Sequence, residues 1–469
     1  MSTVLFGTDG IRGVAGQAPL DPSTLTRLGS ALVRAVAASS PVRVLIGRDT
    51  REAGVWIESD LARGMRAEGA QVTSVGVVST PAVAYLAQAL GSDLGIVISA
   101  SHNLYQDNGI KVFAGDGHKF GEAQERAVEA LLAAPAFAPS KDAPKPEPRA
   151  GASAPSTGSG QAGKPVAPVV PVDLVDRYLD HVRRILPAAA ALAGVRLGID
   201  MANGATTTTA PRFLRALGCE LVEIGNAPDG RNINLDCGST HPARLRALVV
   251  EHQCHMGVAF DGDGDRAIFV DHLGRVVDGD AVLLVLARRL QERGTLAGRT
   301  VVATVMSNLG LEKALDRIGV RLVRTAVGDK FVRDEMMAHG YVLGGEQSGH
   351  MIMADHLYTG DGLATALAVL RVMNESGRDL ADLASAFVPY PQVLLNVRVR
   401  ERRALAEVPA IAAAMAGVEA ALAGRGRLLV RYSGTEPLLR IMIEAEDGAA
   451  IQRWAEDIAD AARAALGEA

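Results

Sequence analysis

The chain has 469 residues, a formal net charge of −5, 4% aromatic residues and three cysteines, Cys219, Cys237 and Cys254. That length calls for about three or four hydrophobic cores, and an acidic balance with few stacking rings excludes a nucleic-acid binder. Odd, scattered cysteines indicate neither a disulfide framework nor a zinc site and suit a reducing cytoplasm, and with no leader-like N-terminus and no apolar run of membrane-span length, a soluble cytoplasmic protein with small-molecule partners and no membrane contact is expected.

In chain order, Gly7 to Gly13 sets glycines around Arg12, a loop whose backbone and guanidinium can meet an anion together. A helix is expected from Leu25 to Ala37, then a strand from Val42 leading into Gly47-Arg48-Asp49-Thr50-Arg51, then a helix from Val55 to Glu68. Gly95 to Ile98 is an apolar run of strand length that ends in Ser99-Ala100-Ser101-His102-Asn103, so Ser101 is delivered to a strand's C-terminal edge, where open α/β sheets place their chemistry. A serine needs a base or a cation to act as a nucleophile, and His102 is adjacent while Lys111 returns after the turn Asp107-Asn108-Gly109. Ordinary turn chemistry is the competing reading of Ser-His-Asn.

Nine of the 21 prolines fall between Pro135 and Pro171 among Ala, Ser, Gly and Lys, a composition with too little apolar surface to offset its ordering entropy. That stretch reads as a linker or insertion between an α/β domain at 1–134 and the next at 172–272. Within it, Gly158 to Pro165 falls one residue short of a phosphate-binding loop and places Pro165 where a magnesium-ligating hydroxyl belongs, so it is rejected as a nucleotide site.

The second domain opens with a helix from Asp173 to Leu186, a strand from Val195 to Asp200 and a helix from Pro211 to Leu217. After the strand Met256 to Phe260 come Asp261, Asp263 and Asp265, separated by glycines and followed by Arg266. Extended backbone would carry these alternate side chains to one side. Carboxylates about 4 Å apart repel by roughly 4 kcal/mol per pair at an effective dielectric near 20, so a cation is the simplest remedy. An EF-hand fails because its sixth position is Arg266 and its twelfth is His272; all-oxygen ligation favours Mg2+, with a phosphate nearby.

A third α/β domain, 273–388, has a strand from Thr300 to Val305, the loop Gly328-Asp329-Lys330, and a strand Tyr341 to Leu343 ending in Gly345-Glu346-Gln347-Ser348-Gly349-His350. Glu346, Ser348 and His350 alternate there, a presentation suited to sugar hydroxyls. From 389 to 469 the pattern becomes a smaller α+β domain: a strand from Val393 to Val399, a helix from Arg403 to Leu422, a strand from Leu439 to Ile443, and a last helix with Ile451, Trp454 and Ile458 as core. Its loop Arg431-Tyr432-Ser433-Gly434-Thr435 suits a phosphate dianion.

Seven ordered segments, FGTDGIRG (Phe6 to Gly13), GRDTR (Gly47 to Arg51), SASHN (Ser99 to Asn103), DNGIK (Asp107 to Lys111), DGDGDR (Asp261 to Arg266), GEQSGH (Gly345 to His350) and RYSGTEP (Arg431 to Pro437), resemble the α-D-phosphohexomutase superfamily over nearly the whole chain. Leu104 and Ala53 depart from the usual pattern, and 135–171 is longer than usual. The resemblance implies an α/β fold of three similar mixed-sheet domains plus the C-terminal α+β domain around a central cleft. It also implies an isomerase in which phosphorylated Ser101 donates to a sugar phosphate and regains the other phosphate from a bisphosphate intermediate. Asp261, Asp263, Asp265 and the Ser101 phosphate would hold magnesium. Arg431, Ser433, Gly434 and Thr435 would grip the unreactive phosphate; Glu346, Gln347 and Ser348, with Arg266 and Asp329, would meet the rest of the substrate. His102, Lys111, Arg12 and His350 would share proton transfer and charge stabilisation, which of them moves the proton staying open. The loop at Gln347 resembles the aminosugar version, implying a hexosamine phosphate; glucose or mannose phosphates, and a non-catalytic cation- and sugar-binding protein, are the alternatives. Monomer and homodimer both stay open.

Overall fold

A computed structural model of the chain describes residues 5–7, 9–36, 41–134, 174–187, 192–433 and 437–467; the Pro-rich stretch 135–171 lies outside them. The chain divides into two units, one of Met1–Val305 and Val323–Ala384, the other of Met306–Leu322 and Ser385–Ala469.

One connectivity recurs three times in the first unit. Arg43–Arg48 lies between Gln71–Val77 and Leu94–Ile98 and parallel to both; Leu94–Ile98 then turns back through an antiparallel hairpin into Asp107–Ala114, with Ile11–Val14 at the edge. In the second sheet Arg196–Asp200 lies parallel between Glu220–Ile224 and Met256–Phe260, which hairpins into Ala267–Asp271, with Val276–Val277 at the edge. In the third, Thr300–Thr304 has the strand ending at Thr325 on one side and the parallel Leu343–Gly345 on the other, and Leu343–Gly345 hairpins into Met351–Met353. The three mixed sheets share the order of these four strands, the third having no fifth edge strand among the described residues.

Leu94–Ile98 and Met256–Phe260 are continuous apolar runs because every residue in them is buried, as expected of strands covered on both faces. Three long helices start where an acidic side chain caps free N–H groups: Asp21 accepts from Ser23 and Thr24 to open Pro22–Ala35, Asp278 from Ala281 to open Gly279–Glu292, and Asp361 from Ala364 to open Gly362–Ser376. Ile11, Leu28, Ile57, Ile96 and Ile110 meet in the first core. All three cysteines are buried and unpaired. Among the described residues no helix is long and apolar enough to cross a membrane.

In the second unit Leu438–Glu444 runs antiparallel between Gln392–Arg398 and Arg427–Tyr432. Ile411, Ile441, Ile451 and Ile458 join its helices Pro409–Leu422 and Gly448–Leu466 to the sheet, and Trp454 packs against them. Fully buried Glu444 ties the unit together through Arg427, Asn308 and the Leu309 N–H.

Three local expectations are corrected. The helix expected from Arg403 begins at Pro409, whose missing N–H suits a first helical position, after a short 3-10 turn at Leu405–Glu407. The strand expected at Tyr341 to Leu343 is Leu343–Gly345, because the Tyr341 N–H is spent on Met336 O in closing the preceding helix at Gly340. The Asp261 to Arg266 segment is a turn, not extended chain: the Gly264 N–H returns to Asp261 O at 3.1 Å and Gly264 has φ +70°. The carboxylates converge by chain reversal.

Candidate active site

Each of the three hairpins closes on a functional loop: 99–106 carries Ser101, 261–266 the aspartates, and 346–350 the Glu346 to His350 segment. Ser101 is fully buried with φ +54°, a left-handed conformation that costs a non-glycine residue about 1–2 kcal/mol. Two side chains hold it there. Asn234 Nδ2 donates to the carbonyls of Ser101 at 2.9 Å and Asn103 at 2.8 Å. The wholly buried Arg51 reaches the same two carbonyls through Nη2 while pairing with Asp49 through Nη1. Ser99 Oγ accepts the Ser101 N–H at 2.9 Å.

So held, Ser101 Oγ donates to Asp261 Oδ2 at 2.5 Å. His102 Nδ1, the neighbour expected to activate it, is 3.4 Å away and instead accepts from Arg266 Nη1 at 2.9 Å. Burial, reinforced by the Arg266 and Arg12 guanidinia, lowers the His102 pKa to about 4, so the ring is neutral. Arg12 donates to Ala100 O at 2.9 Å and pairs with Asp9 at 2.6 Å.

One carboxylate oxygen from each of Asp261, Asp263 and Asp265, all buried, lies within 4.8 Å of the others. Lys111 Nζ sits 2.8 Å from Asp263 Oδ2, 2.7 Å from Asp265 Oδ2 and 3.3 Å from Asp9 Oδ2. Thr80 Oγ1 donates to Asp263 Oδ2 at 2.6 Å. The other oxygens, Asp263 Oδ1 and Asp265 Oδ1, are buried with no hydrogen-bond partner. Burial, together with the Asp265 and Asp263 charges, pushes the Asp261 carboxyl well above its usual range. For Asp265 burial acts the same way but Lys111 and His350 outweigh it and hold the pKa well below usual; Lys111 in turn, despite burial, is held well above its usual value by Asp263, Asp265 and Asp9. Buried acceptors left bare beside a carboxyl too crowded to ionise alone fit a metal ion.

The Glu346 to His350 loop splits in two. Ser348 Oγ donates to Glu346 Oε2 at 3.3 Å, and both residues are partly exposed. His350 does not share their face. It is buried, with Nδ1 3.8 Å from Asp265 Oδ2 and Nε2 3.5 Å from Asp329 Oδ2, and it accepts the Gly360 N–H at 2.9 Å. Gln347 Nε2 donates to Asp278 Oδ2 at 3.3 Å, so one of its amide groups already serves a helix cap. Asp329 pairs with Lys119, which also meets Asp9 at 2.7 Å.

In the second unit Arg431 Nη2 lies 3.9 Å from Met306 Sδ, and burial with its cross-strand partner Arg440 lowers its pKa. Ser433 is buried; Gly434 and Thr435 lie outside the described residues.

The sequence does not single out Asp9, Arg51, Thr80, Lys119 or Asn234. Arg51 stands in a charged loop at a strand end, which is a usable signal; Asn234 comes from a long irregular connection and carries none.

Models of the phosphoglucomutase/phosphomannomutase domains match the chain in order: alpha/beta/alpha domain I at 3–138, domain II at 176–274, domain III at 278–390 and the C-terminal domain at 394–461. A phosphoglucosamine mutase of Solibacter usitatus is 47% identical over 470 residues, covering 100% of both chains. The crystal structure of a phosphoglucomutase/phosphomannomutase family protein from Burkholderia thailandensis superimposes with a TM-score of 0.77 at 26% identity, covering 99% of this chain and 98% of that one. Aspergillus fumigatus N-acetylphosphoglucosamine mutase, solved with GlcNAc-6P and magnesium, shares the fold with a TM-score of 0.66 at 16% identity, covering 98% and 96%.

Proposed function

Because the chain belongs to the phosphoglucosamine mutase family of the phosphohexomutases, and is therefore an isomerase, we propose that it interconverts glucosamine 6-phosphate and glucosamine 1-phosphate through a phosphorylated Ser101, feeding amino-sugar nucleotide and cell-wall precursor synthesis. The observation that carries this reading is the buried Ser101 Oγ, presented from a left-handed turn 2.5 Å from Asp261 Oδ2. In the first half-reaction the Ser101 Oγ–P bond breaks as a sugar hydroxyl oxygen bonds to phosphorus, and the hydroxyl's proton passes by way of the site's proton-transfer group to the freed Ser101 Oγ. In the second, the other sugar O–P bond of the bisphosphate breaks as Ser101 Oγ bonds to that phosphorus, and the Ser101 proton passes to the product oxygen.

Asp261, Asp263, Asp265 and an oxygen of the Ser101 phosphate would hold Mg2+, and their oxygen-only donor set favours that ion, as does the magnesium in the Aspergillus relative of the same fold. When bound, the ion neutralises charge on the phosphoryl oxygens. Lys111, 2.7–2.8 Å from Asp265 and Asp263, brings a cation beside the transferring group. Arg12, held by Ala100 O and Asp9, brings a second cation to the mouth of the loop. Neutral His102 has Nδ1 engaged by Arg266, so it orients that guanidinium. Glu346 and Ser348 offer acceptors and a donor to the sugar hydroxyls, and Arg431 and Ser433 a phosphate grip. The order of the domains, 1–134, 172–272, 273–388 and 389–469, is read the same way.

Intact mass with peptide mapping should find phosphate on Ser101 and nowhere else in that loop, and Ser101→Ala should abolish turnover while keeping the circular dichroism spectrum. Substantial turnover by the purified variant would end the phosphoserine mechanism. The engagement of Gln347 by Asp278 gives a second reading weight, in which glucose or mannose phosphates are accepted as well. Comparing kcat/KM for the three sugar phosphates decides between them.

A further inference from the structure

A cavity of about 290 Å3 lies within the first unit, and none of its lining residues is a candidate site residue. That is near the lower end of the size of small-molecule pockets, roughly 300 Å3 upward. Its walls are apolar: Leu286 and Leu290 from Gly279–Glu292, Val372 from Gly362–Ser376, and Leu343 and Met353 from the third sheet. Around these stand four arginines, Arg184, Arg289, Arg293 and Arg371.

A salt-bridge tie between helices explains part of that charge. Glu375 takes Arg289 at 2.9 Å, Arg293 at 2.5 Å and Arg371 at 2.8 Å. Glu292 also takes Arg289, at 3.2 Å, so two carboxylates stand against these three guanidinia, and Arg184 has no carboxylate partner among the described residues; Asp355 is the one acidic residue in the lining. The same bonds act on Glu375: burial would raise its pKa, but the hydrogen bonds from Arg371 and Arg289 outweigh this and bring it down to about 2. A ring stack borders the cavity. Tyr85 stacks on His181 at 4.2 Å and His181 on His356 at 4.4 Å, and both histidines line the cavity. An excess of guanidinium beside an apolar, ring-faced hollow is the chemistry that takes an anion on an aromatic or aliphatic body.

The floor has a further property. Leu343 and Met353 are cross-strand partners at the base of the hairpin whose tip is the Glu346 to His350 loop, and the lining residue His356 bonds Asp361 at 2.9 Å, next to Gly360, which donates to His350. A body wedged against Leu343 and Met353 therefore bears on both legs of that hairpin.

We propose that this cavity is a second binding site, for a small anion carrying a flat apolar body, and that its occupant alters sugar binding by shifting the hairpin that carries Glu346 and Ser348. The second half rests on the reading of that loop as the sugar-contacting one; the first half does not. The probe is 1-anilinonaphthalene-8-sulfonate, added to the full chain and followed by fluorescence. Saturable binding of one dye per chain is expected. Leu290→Trp, which fills the cavity, should abolish it, and Arg184→Glu combined with Arg293→Glu should weaken it by about tenfold or more. Should Leu290→Trp fail to fold by circular dichroism, Ala368→Leu replaces it. The uncharged N-phenyl-1-naphthylamine should bind no better to the native chain than to the charge-reversed variant. Undiminished dye binding in the filled and charge-reversed variants overturns the site. With the site established, a dye-induced change in KM for the sugar phosphate that vanishes in the filled variant supports the coupling, and an unchanged KM overturns it. A chain with no turnover at all would strike the catalytic reading, while the fluorescence result would stand.

Discussion

Asn234→Gly should destabilise the first unit by about 2–3 kcal/mol, although its side chain meets Ser101 through the backbone carbonyl alone. Its Nδ2 supplies two hydrogen bonds, at 2.9 and 2.8 Å, to the carbonyls of Ser101 and Asn103, and Asn234 is buried. Each such bond contributes about 1 kcal/mol net, and a buried carbonyl losing its better partner adds to that. The Ser101 carbonyl would keep only Arg51 Nη2, at 3.3 Å. Glycine is the informative replacement because Asn234 has φ +58°; alanine would add left-handed strain of about 1 kcal/mol and should be worse by that amount. A Trp454→Phe background leaves Trp56 as the sole tryptophan, in the first unit, so urea unfolding followed by its fluorescence reads that unit alone. Because the same two bonds hold Ser101 in its left-handed turn, kcat should fall by about tenfold, the equivalent of ~1.4 kcal/mol. A glycine variant within about 0.5 kcal/mol of the native chain, with unchanged kcat, would show that Arg51 alone suffices and refute the argument.

Gly349→Ala should destabilise by about 3 kcal/mol or more, since its backbone sits at φ +91° and a Cβ there would lie 2.3 Å from Ala267 O; a melting temperature equal to the native value would contradict it. Lys111→Met leaves Asp263 and Asp265 without their buried cation, at about 3–5 kcal/mol; magnesium chloride should raise the variant's melting temperature more than the native one, and equal rises would refute the account. Glu375→Gln tests the arginine cluster by pH. The Glu375 pKa is depressed from 4.5 to about 2, so its contribution is fully present above pH 4.5 and is lost as pH falls towards 2. With screening discounted, the variant should be less stable than the native chain by about 1–2 kcal/mol at pH 7, and the gap should shrink steadily as pH falls from 4.5 towards 2; a gap independent of pH is the failing result.

Ser101 and the aspartates were legible because each lies in one short segment whose neighbours declare it: an apolar strand before, a polar turn within. The repeated sheets were legible as pattern for the same reason. The residues that hold these groups were not, because contact there spans the chain: Thr80 meets Asp263, Lys119 meets Asp329, and Asn234 meets Ser101. Local spacing also gave the right convergence of the triad for the wrong reason, since a tight turn and a strand both bring residues i and i+2 near one another. Gln347 shows the converse limit: its amide looked available in the loop, yet a helix cap sixty-nine positions away had a claim on it.

The three hairpins have a consequence for how such a site changes. In each, the ends of the functional loop are pinned by two hydrogen-bonded strands, whereas the loops differ in length, spanning 99–106, 261–266 and 346–350. Pinned ends separate a loop's content from the scaffold's stability, much as a socket separates a tool from its handle. The tips are not independent, however: Ser101 bonds Asp261, His102 takes Arg266, and His350 reaches Asp265, so a change at one tip is free only where it leaves those cross-links in place, as at the partly exposed Glu346 and Ser348.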